Sequence, residues 1–167
     1  ELHLFHTGNV RDDQTQWAAK RVAKLHHAVG SWPAWAKLIS ECRMDVLLYP
    51  EIGMDATTLR LASLRLSRRQ LASWGHPITT GLPTMDGYLS ASAFEPDGAD
   101  AHYTEALHRL PGIGCCYKGF GTRPESLDLE ALGLLKQEPF FLCAGTPFKY
   151  NPAHDALWVE IARRWAP

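Results

Sequence analysis

The sequence predicts an α/β fold, a Rossmann-like parallel sheet flanked by helices, followed by the first β-α unit of a second domain. Short apolar runs of strand length alternate with helix-periodic stretches. The run D-V-L-L-Y at 45–49 is continuously apolar and stops at Pro50, as expected of a strand buried on both faces. Loops rich in Gly, Pro and Thr follow the strand-like runs, as at 75–81.

Residues 2–5 read as a strand. Asp12 and Asp13 suit a helix start, and Trp17, Arg21 and Leu25 continue at helical spacing through His27. Gly30 and Pro33 break that helix, and Ser31 or Trp32 caps a second one carrying Trp35, Leu38, Ile39 and Cys42. After the strand at 45–49, residues 57–66 are helical. Strands follow at 70–74, 88–92 and 106–110. Composition shifts near Lys118, where Gly, Arg and Pro cluster. Beyond it lie a short helix (127–135), a strand (139–144), a polar loop and a helix (153–165). The division expected is a Rossmann-like domain over 1–117, a linker over 118–127 and the start of a second domain over 128–167. Trp17, Trp35, Trp158 and Trp165 sit at helical spacing among apolar neighbours and are expected in the core.

The 167 residues are 46% hydrophobic and 21% charged, an ordinary globular composition. A formal charge of −1 gives no electrostatic reason to expect nucleic acid or a membrane as partner. The longest apolar runs are far too short to span a bilayer. Cys42, Cys115, Cys116 and Cys143 form no C-x-x-C pair, so free thiols in a reducing cytoplasm are expected. The histidines lack i,i+4 spacing with a carboxylate partner, there is no D-x-D, and no metal site is read. With no initiating Met and a strand at the first residues, a piece of a longer polypeptide is expected.

Ligands of parallel α/β sheets bind at the carboxyl ends of strands. Three such ends are rich here: Y-P-E-I-G-M-D at 49–55, G-H-P-I-T-T-G at 75–81 and G-T-P-F-K-Y-N-P at 145–152. His76 suits anion donation or proton transfer, or else a turn histidine bonded to nearby backbone. Thr79 and Thr80 could face phosphates or cap the next segment. Glu51 and Asp55 could pair as acid and base, or Asp55 could cap a helix. Lys149 could clamp a phosphate or be a solvated loop lysine.

Taken in order, D-V-L-L-Y-P-E-I-G-M-D (45–55), L-R-L-S-R-R-Q-L-A-S-W-G-H-P-I-T-T (64–80), M-D-G-Y (85–88) and Y-T-E-A-L-H-R-L-P (103–111) resemble the catalytic region of the O-GlcNAc transferase family. The likeness is closer to its bacterial adhesin-modifying branch, which glucosylates asparagine from UDP-glucose. Gly75-His-Pro77 and the T-x-x-K-x-N-P pattern of 146–152 carry that distinction. The resemblance implies a GT-B architecture of which this chain supplies the N-terminal half, without the family's first strand and helix. It implies a UDP-sugar-dependent protein glycosyltransferase moving a hexose or N-acetylhexosamine to Asn or Ser/Thr. The site it implies has His76 in the active-site cleft and Lys149, Thr146 and Asn151 at the donor. Thr79, Thr80 and Asp55 are further candidates for the cleft. The partners are a UDP-sugar and a protein or peptide acceptor, with no metal or other cofactor, no nucleic acid and no membrane. The 167-residue chain by itself is expected to be inactive. The rival expectation is a non-catalytic protein-interaction module derived from such a domain.

Overall fold

Among the described residues of the computed structural model every strand runs parallel to its neighbours, with 3–6 beside 24–27 in one sheet and 46–49, 69–73, 87–91 and 106–110 side by side in another. The model describes residues 1–117, 121, 125–134 and 141–165. The chain divides into two units, Glu1–Lys118 and Gly119–Pro167.

In the first unit the order is β1 (His3–His6), α1 (Asp13–Ala19), β2 (Lys24–His27), α2 (Trp32–Glu41), β3 (Val46–Tyr49), α3 (Ala56–Ala62), β4 (Arg69–Ser73), β5 (Gly87–Ala91), a 3₁₀ turn (Ala99–His102) and β6 (Ala106–Leu110). The parallel sheets flanked by helices are those the alternation of apolar runs predicts. Local chemistry sets the helix starts. Asp12 accepts from the Thr15 backbone N–H at 2.8 Å in a capping box, while Ser31 occupies the N-cap position of α2 without a side-chain bond, ahead of Pro33 in the first turn.

The helix expected to run through His27 ends at Ala19 instead. Lys24–His27 pairs with β1 in register, His3 against Lys24 through His6 against His27. The Trp17–Arg21–Leu25 spacing is helical only in its first half. Leu25 alternates with His26 across a strand, and ladder bonds outweigh propensity there. Ala28 at φ 57° and Gly30 at φ 94° then turn the chain into α2.

The core joins Trp35 and Ile39 of α2, Leu61 and Ala62 of α3, Leu47 and Tyr49 of β3, and Tyr88 of β5. β3 is buried on one face only, contrary to expectation. Leu47 and Tyr49 face the core, but Val46 and Leu48 are 54% and 47% exposed. They border a groove along β1 and β3, two strands that pair with β2 and β4 and not with each other. At the amino end of β4, the fully buried Gln70 side chain donates to the Leu64 and Thr84 carbonyls and accepts from Leu66 N–H. Its bonds tie the loops on either side of the strand together.

Of the four tryptophans assigned to the core, only Trp35 is there, 2% exposed. Trp17 is exposed on α1 and carries the Arg21 guanidinium 3.8 Å above its ring, and Trp158 and Trp165 are also exposed. Helical spacing marks one face of a helix and does not say what covers it.

The second unit contains two 3₁₀ turns, Pro147–Lys149 and Pro152–His154, and then α4 (Asp155–Trp165). The helix expected from 153 therefore starts two residues later. Both prolines occupy first-turn positions, and i→i+3 bonds such as His154 N–H to the Asn151 carbonyl close the turns. The expected helix at 127–135 and strand at 139–144 lie partly outside the described residues. Residues 129–133 form turns, and 141–144 have no ladder among the described residues. A strand without a partner leaves its backbone groups unpaired.

Candidate functional site

Two of the three loops singled out in the sequence meet at the carboxyl ends of β3 and β4. The Gly75 N–H donates to the Pro50 carbonyl at 3.0 Å, and a Cβ on Gly75 would stand 2.5 Å from that oxygen. Only glycine lets the backbones approach so closely. One residue on, the His76 imidazole lies against Gly53, 3.7 Å from where a Cβ there would be. Tyr88, buried on β5, donates its hydroxyl to the His76 carbonyl at 2.6 Å and fixes the loop from beneath. Burial, aided by the charges of Glu95 and Glu105, pushes the Tyr88 phenol up to about 12, so it stays a donor at neutral pH. Nδ1 of His76 is buried with no partner among the described residues. The His27 Nε2 and the Tyr49 hydroxyl share that state, and a buried polar atom of this kind calls for a partner such as a water or a bound group.

Pro77 and Tyr88 also wall a cavity of about 360 Å³, with Trp74, Phe94 and Tyr103 as aromatic sides and Glu95 as its charge. Ser90 and Tyr103 hydroxyls donate to the same Glu95 oxygen at 2.5 and 2.6 Å and hold that carboxyl below its ordinary range. A larger groove of about 450 Å³ follows β1 and β3. Its lining is mostly aliphatic, with Glu1, His3, His6, Tyr49 and Glu51 among it, and the smaller cavity, which adjoins the His76 loop through Pro77 and Tyr88, is the better chemical candidate.

Thr79 and Thr80 do not present free hydroxyls. Thr79 donates to one Glu105 oxygen at 2.7 Å, and Thr80 gives the other both its hydroxyl and its backbone N–H, the latter at 2.9 Å. The Thr104 N–H adds a bond to Thr79 Oγ1. Burial pushes the Glu105 carboxyl up, but the Thr80 and Thr79 hydrogen bonds outweigh it and the net shift is downward. A carboxylate whose folded value is depressed stabilises the fold above its unfolded value and loses that contribution as pH falls through the folded one. Glu105 is only 6% exposed. Glu105→Gln should therefore cost about 2 kcal/mol near neutrality, because an amide nitrogen would face donors. The difference from wild type should shrink below about pH 4, the ordinary glutamate range. Urea denaturation of both proteins between neutral and acid pH checks this, and a pH-independent difference would remove the clamp. Asp55 is likewise occupied, capping α3 through the Thr58 N–H at 2.8 Å and the Thr58 hydroxyl.

In the second unit, Thr146 precedes the Pro147 turn, and Lys149 ends it in solvent, making no ion pair with a described residue. Asn151 Oδ1 accepts from the Ala153 N–H at 3.0 Å. Tyr150 folds its hydroxyl back over this loop, accepting from the Gly145 N–H at 3.0 Å and lying 2.8 Å from the Cys143 carbonyl.

No family model matches the chain. Over 112 residues, 64% of its length, it is 32% identical to a UDP-glucose:protein N-beta-glucosyltransferase of Actinobacillus pleuropneumoniae. Over 82 residues, 49% of its length, it is 32% identical to a probable UDP-N-acetylglucosamine–peptide N-acetylglucosaminyltransferase, SPINDLY, of Oryza sativa. This chain is related to the O-GlcNAc transferase family. It spans only 17% and 9% of those two relatives. In structure it matches the K341M mutant of Thermobaculum terrenum O-GlcNAc transferase with a TM-score of 0.60, at 20% identity over 65% of this chain and 21% of that one. That likeness concerns the fold.

In this O-GlcNAc transferase-like chain, the motifs at 85–88 and 103–111 contain Tyr88, Tyr103 and Glu105, to which the sequence assigns no role beside His76, and Glu95 lies outside every motif. Tyr88, Glu95, Tyr103 and Glu105 come from β5 and from the segment leading to β6, far from His76 in sequence. Glu105 had one signal, a lone acidic residue directly before an apolar strand. Glu95 sits in an acidic loop that reads as ordinary solvated surface.

Proposed function

We propose that the chain is part of a GT-B glycosyltransferase that moves a hexose or N-acetylhexosamine from a UDP-sugar to a protein side chain, Asn or Ser/Thr. The observation that carries this reading is His76, held at the carboxyl end of β4 with a buried Nδ1 that has no partner among the described residues, in a loop whose next residue, Pro77, walls an aromatic cavity. The relatives named as UDP-sugar-dependent protein glycosyltransferases support it. Transfer builds negative charge on the departing diphosphate, and Lys149, with Thr146 and Asn151 beside it, supplies the compensating groups without a catalytic metal. The aromatic walls of the cavity suit the apolar face of a sugar or the side chains of a peptide. Thr79, Thr80 and Asp55 act by holding the two loops in place. Four unbridged thiols fit a reducing cytoplasm, and no helix among the described residues is long and apolar enough to cross a membrane.

The test uses the full-length protein with a panel of UDP-sugars and a peptide acceptor. His76→Ala should lower kcat/KM at least about tenfold, equivalent to about 1.4 kcal/mol of transition-state stabilisation, with the melting temperature nearly unchanged. Wild-type turnover in that variant, or a loss that only tracks unfolding, leaves His76 a turn histidine. Failure of the full-length protein to bind UDP, with peptide binding intact, would favour the interaction module.

A further inference from the structure

Beyond the transferase reading, the fold brings together three metal-ligating side chains that sequence spacing separates. His3 opens β1, His26 lies in the register of Phe5 on β2, and Cys42 caps the C-terminus of α2. His26 Nε2 is 3.3 Å from His3 Nδ1 and 3.9 Å from Cys42 Sγ, and the three ligand atoms all lie within 4.8 Å of one another. His26 is only 6% exposed, and its ring is stacked on Phe5 at 4.7 Å with an 8° interplanar angle. It is thereby held in one orientation before any ligand arrives. On the far side of the His3 ring, Nε2 lies 3.7 Å from a Glu1 carboxylate oxygen.

The geometry points to a zinc site made by His3 Nδ1, His26 Nε2 and Cys42 Sγ, with a fourth position for solvent. A tetrahedral ion with Zn–N near 2.0–2.1 Å and Zn–S near 2.3 Å requires N···N edges of about 3.3 Å and N···S edges of about 3.6 Å. Two edges are already close to these lengths, so small side-chain movements complete the set. Two imidazoles and a thiolate are a borderline-soft set that suits zinc better than magnesium or calcium. The Glu1 carboxylate, 3.7 Å from His3 Nε2, is outside hydrogen-bond range, and a shift of about half an ångström would make it the carboxylate partner that fixes the tautomer of a metal-bound histidine. Binding expels the Cys42 thiol proton to solvent and forms the Zn–S bond, with no change of oxidation state. His3 is the first residue of β1 and His26 the third of β2, and none of the three ligands belongs to the His76 loop or lines the cavity next to it. The ion thus joins α2 to the β1–β2 pair and takes no part in sugar transfer.

The test is titration of the 167-residue chain, reduced and metal-free, with Co²⁺ alone and then with Zn²⁺ in competition. One Co²⁺ per chain is expected, with thiolate-to-cobalt charge transfer in the near ultraviolet and the intense visible bands of four-coordinate cobalt. Stoichiometric zinc should displace it and raise the melting temperature. Cys42→Ser should abolish the charge-transfer band and weaken Zn²⁺ by about 100-fold, the upper end of what even second-shell losses cost. His3→Gln, on a partly exposed residue, should weaken Zn²⁺ comparably and covers the case in which Cys42→Ser fails to fold. A chain with Cys115, Cys116 and Cys143 all changed to Ser should bind as wild type. Absence of a 1:1 complex, or loss of the thiolate band in the triple variant, would each overturn the assignment. The first of these outcomes leaves only N–H···N and S–H···N hydrogen bonds in the cluster.

Discussion

Replacing Gly75 by alanine is expected to lower the melting temperature of the 167-residue chain by about 5–10 °C, from a cost of about 2–3 kcal/mol of overpacking. The methyl carbon would arrive 2.5 Å from the Pro50 carbonyl oxygen and 3.1 Å from Glu51 Cβ. Neither neighbour is the free end of a flexible side chain. The carbonyl is also the acceptor for the Gly75 N–H, so moving it away breaks the bond that joins the loops. The displacement would pass directly to His76, whose ring lies against Gly53 in the other loop. In the full-length protein, activity should fall further than stability accounts for. Gly81→Ala provides the comparison, because its φ of +66° strains an L residue while no atom crowds its Cβ within 4 Å. That substitution should cost about 1 kcal/mol, from strain alone. If calorimetry finds the two variants equally stable, close approach is not the reason for glycine at 75.

The legible parts of the fold were those whose signals are local. The apolar run before Pro50 marked β3, Asp12 and Ser31 marked helix starts, and Gly75-His-Pro77 marked a strand end. β2 was lost because Trp17, Arg21 and Leu25 fall on a helical repeat by coincidence, and nothing local says that Lys24–His27 has β1 beside it. Burial of β3 on one face, rather than two, depends on what borders its other edge, which an apolar run cannot state. For the candidate site, His76 was visible because its loop is unusual. The Glu105 clamp and the Glu95 cavity were not, because carboxylates and hydroxyls are common and their meeting is tertiary. The His3–His26–Cys42 cluster escaped for the same reason, since i,i+4 rules find ligands on one helix and these come from two strands and a helix end. Residues that act through long-range contacts have no signature until the strands are paired.

Lys149→Ala in the full-length protein is expected to lower kcat by about 100-fold at saturating UDP-sugar, the scale of losing one preorganised partner of the transition-state charge. The loop around Lys149 sharpens that expectation. A helix N-terminus is one source of positive potential for a diphosphate, but here Asn151 Oδ1 already occupies the Ala153 N–H. Asp155 also brings a carboxylate into the first turn of α4. With the helix contribution reduced, the proposed role leaves the lysine ammonium to supply most of the neutralisation on this side. That ammonium is exposed and makes no ion pair with a described residue, so its removal breaks no ion pair among the described residues. Stability should therefore stay within about 0.5 kcal/mol of wild type, the usual range for surface changes. The loss should appear in kcat rather than in the KM for the acceptor, because leaving-group charge grows toward the transition state. Lys149→Arg should restore only part of the rate, since a planar fork does not place its charge where a compact ammonium did. A merely solvated lysine predicts wild-type kcat for both variants, and that result would remove Lys149 from the donor site while leaving His76 to be judged by its own variant.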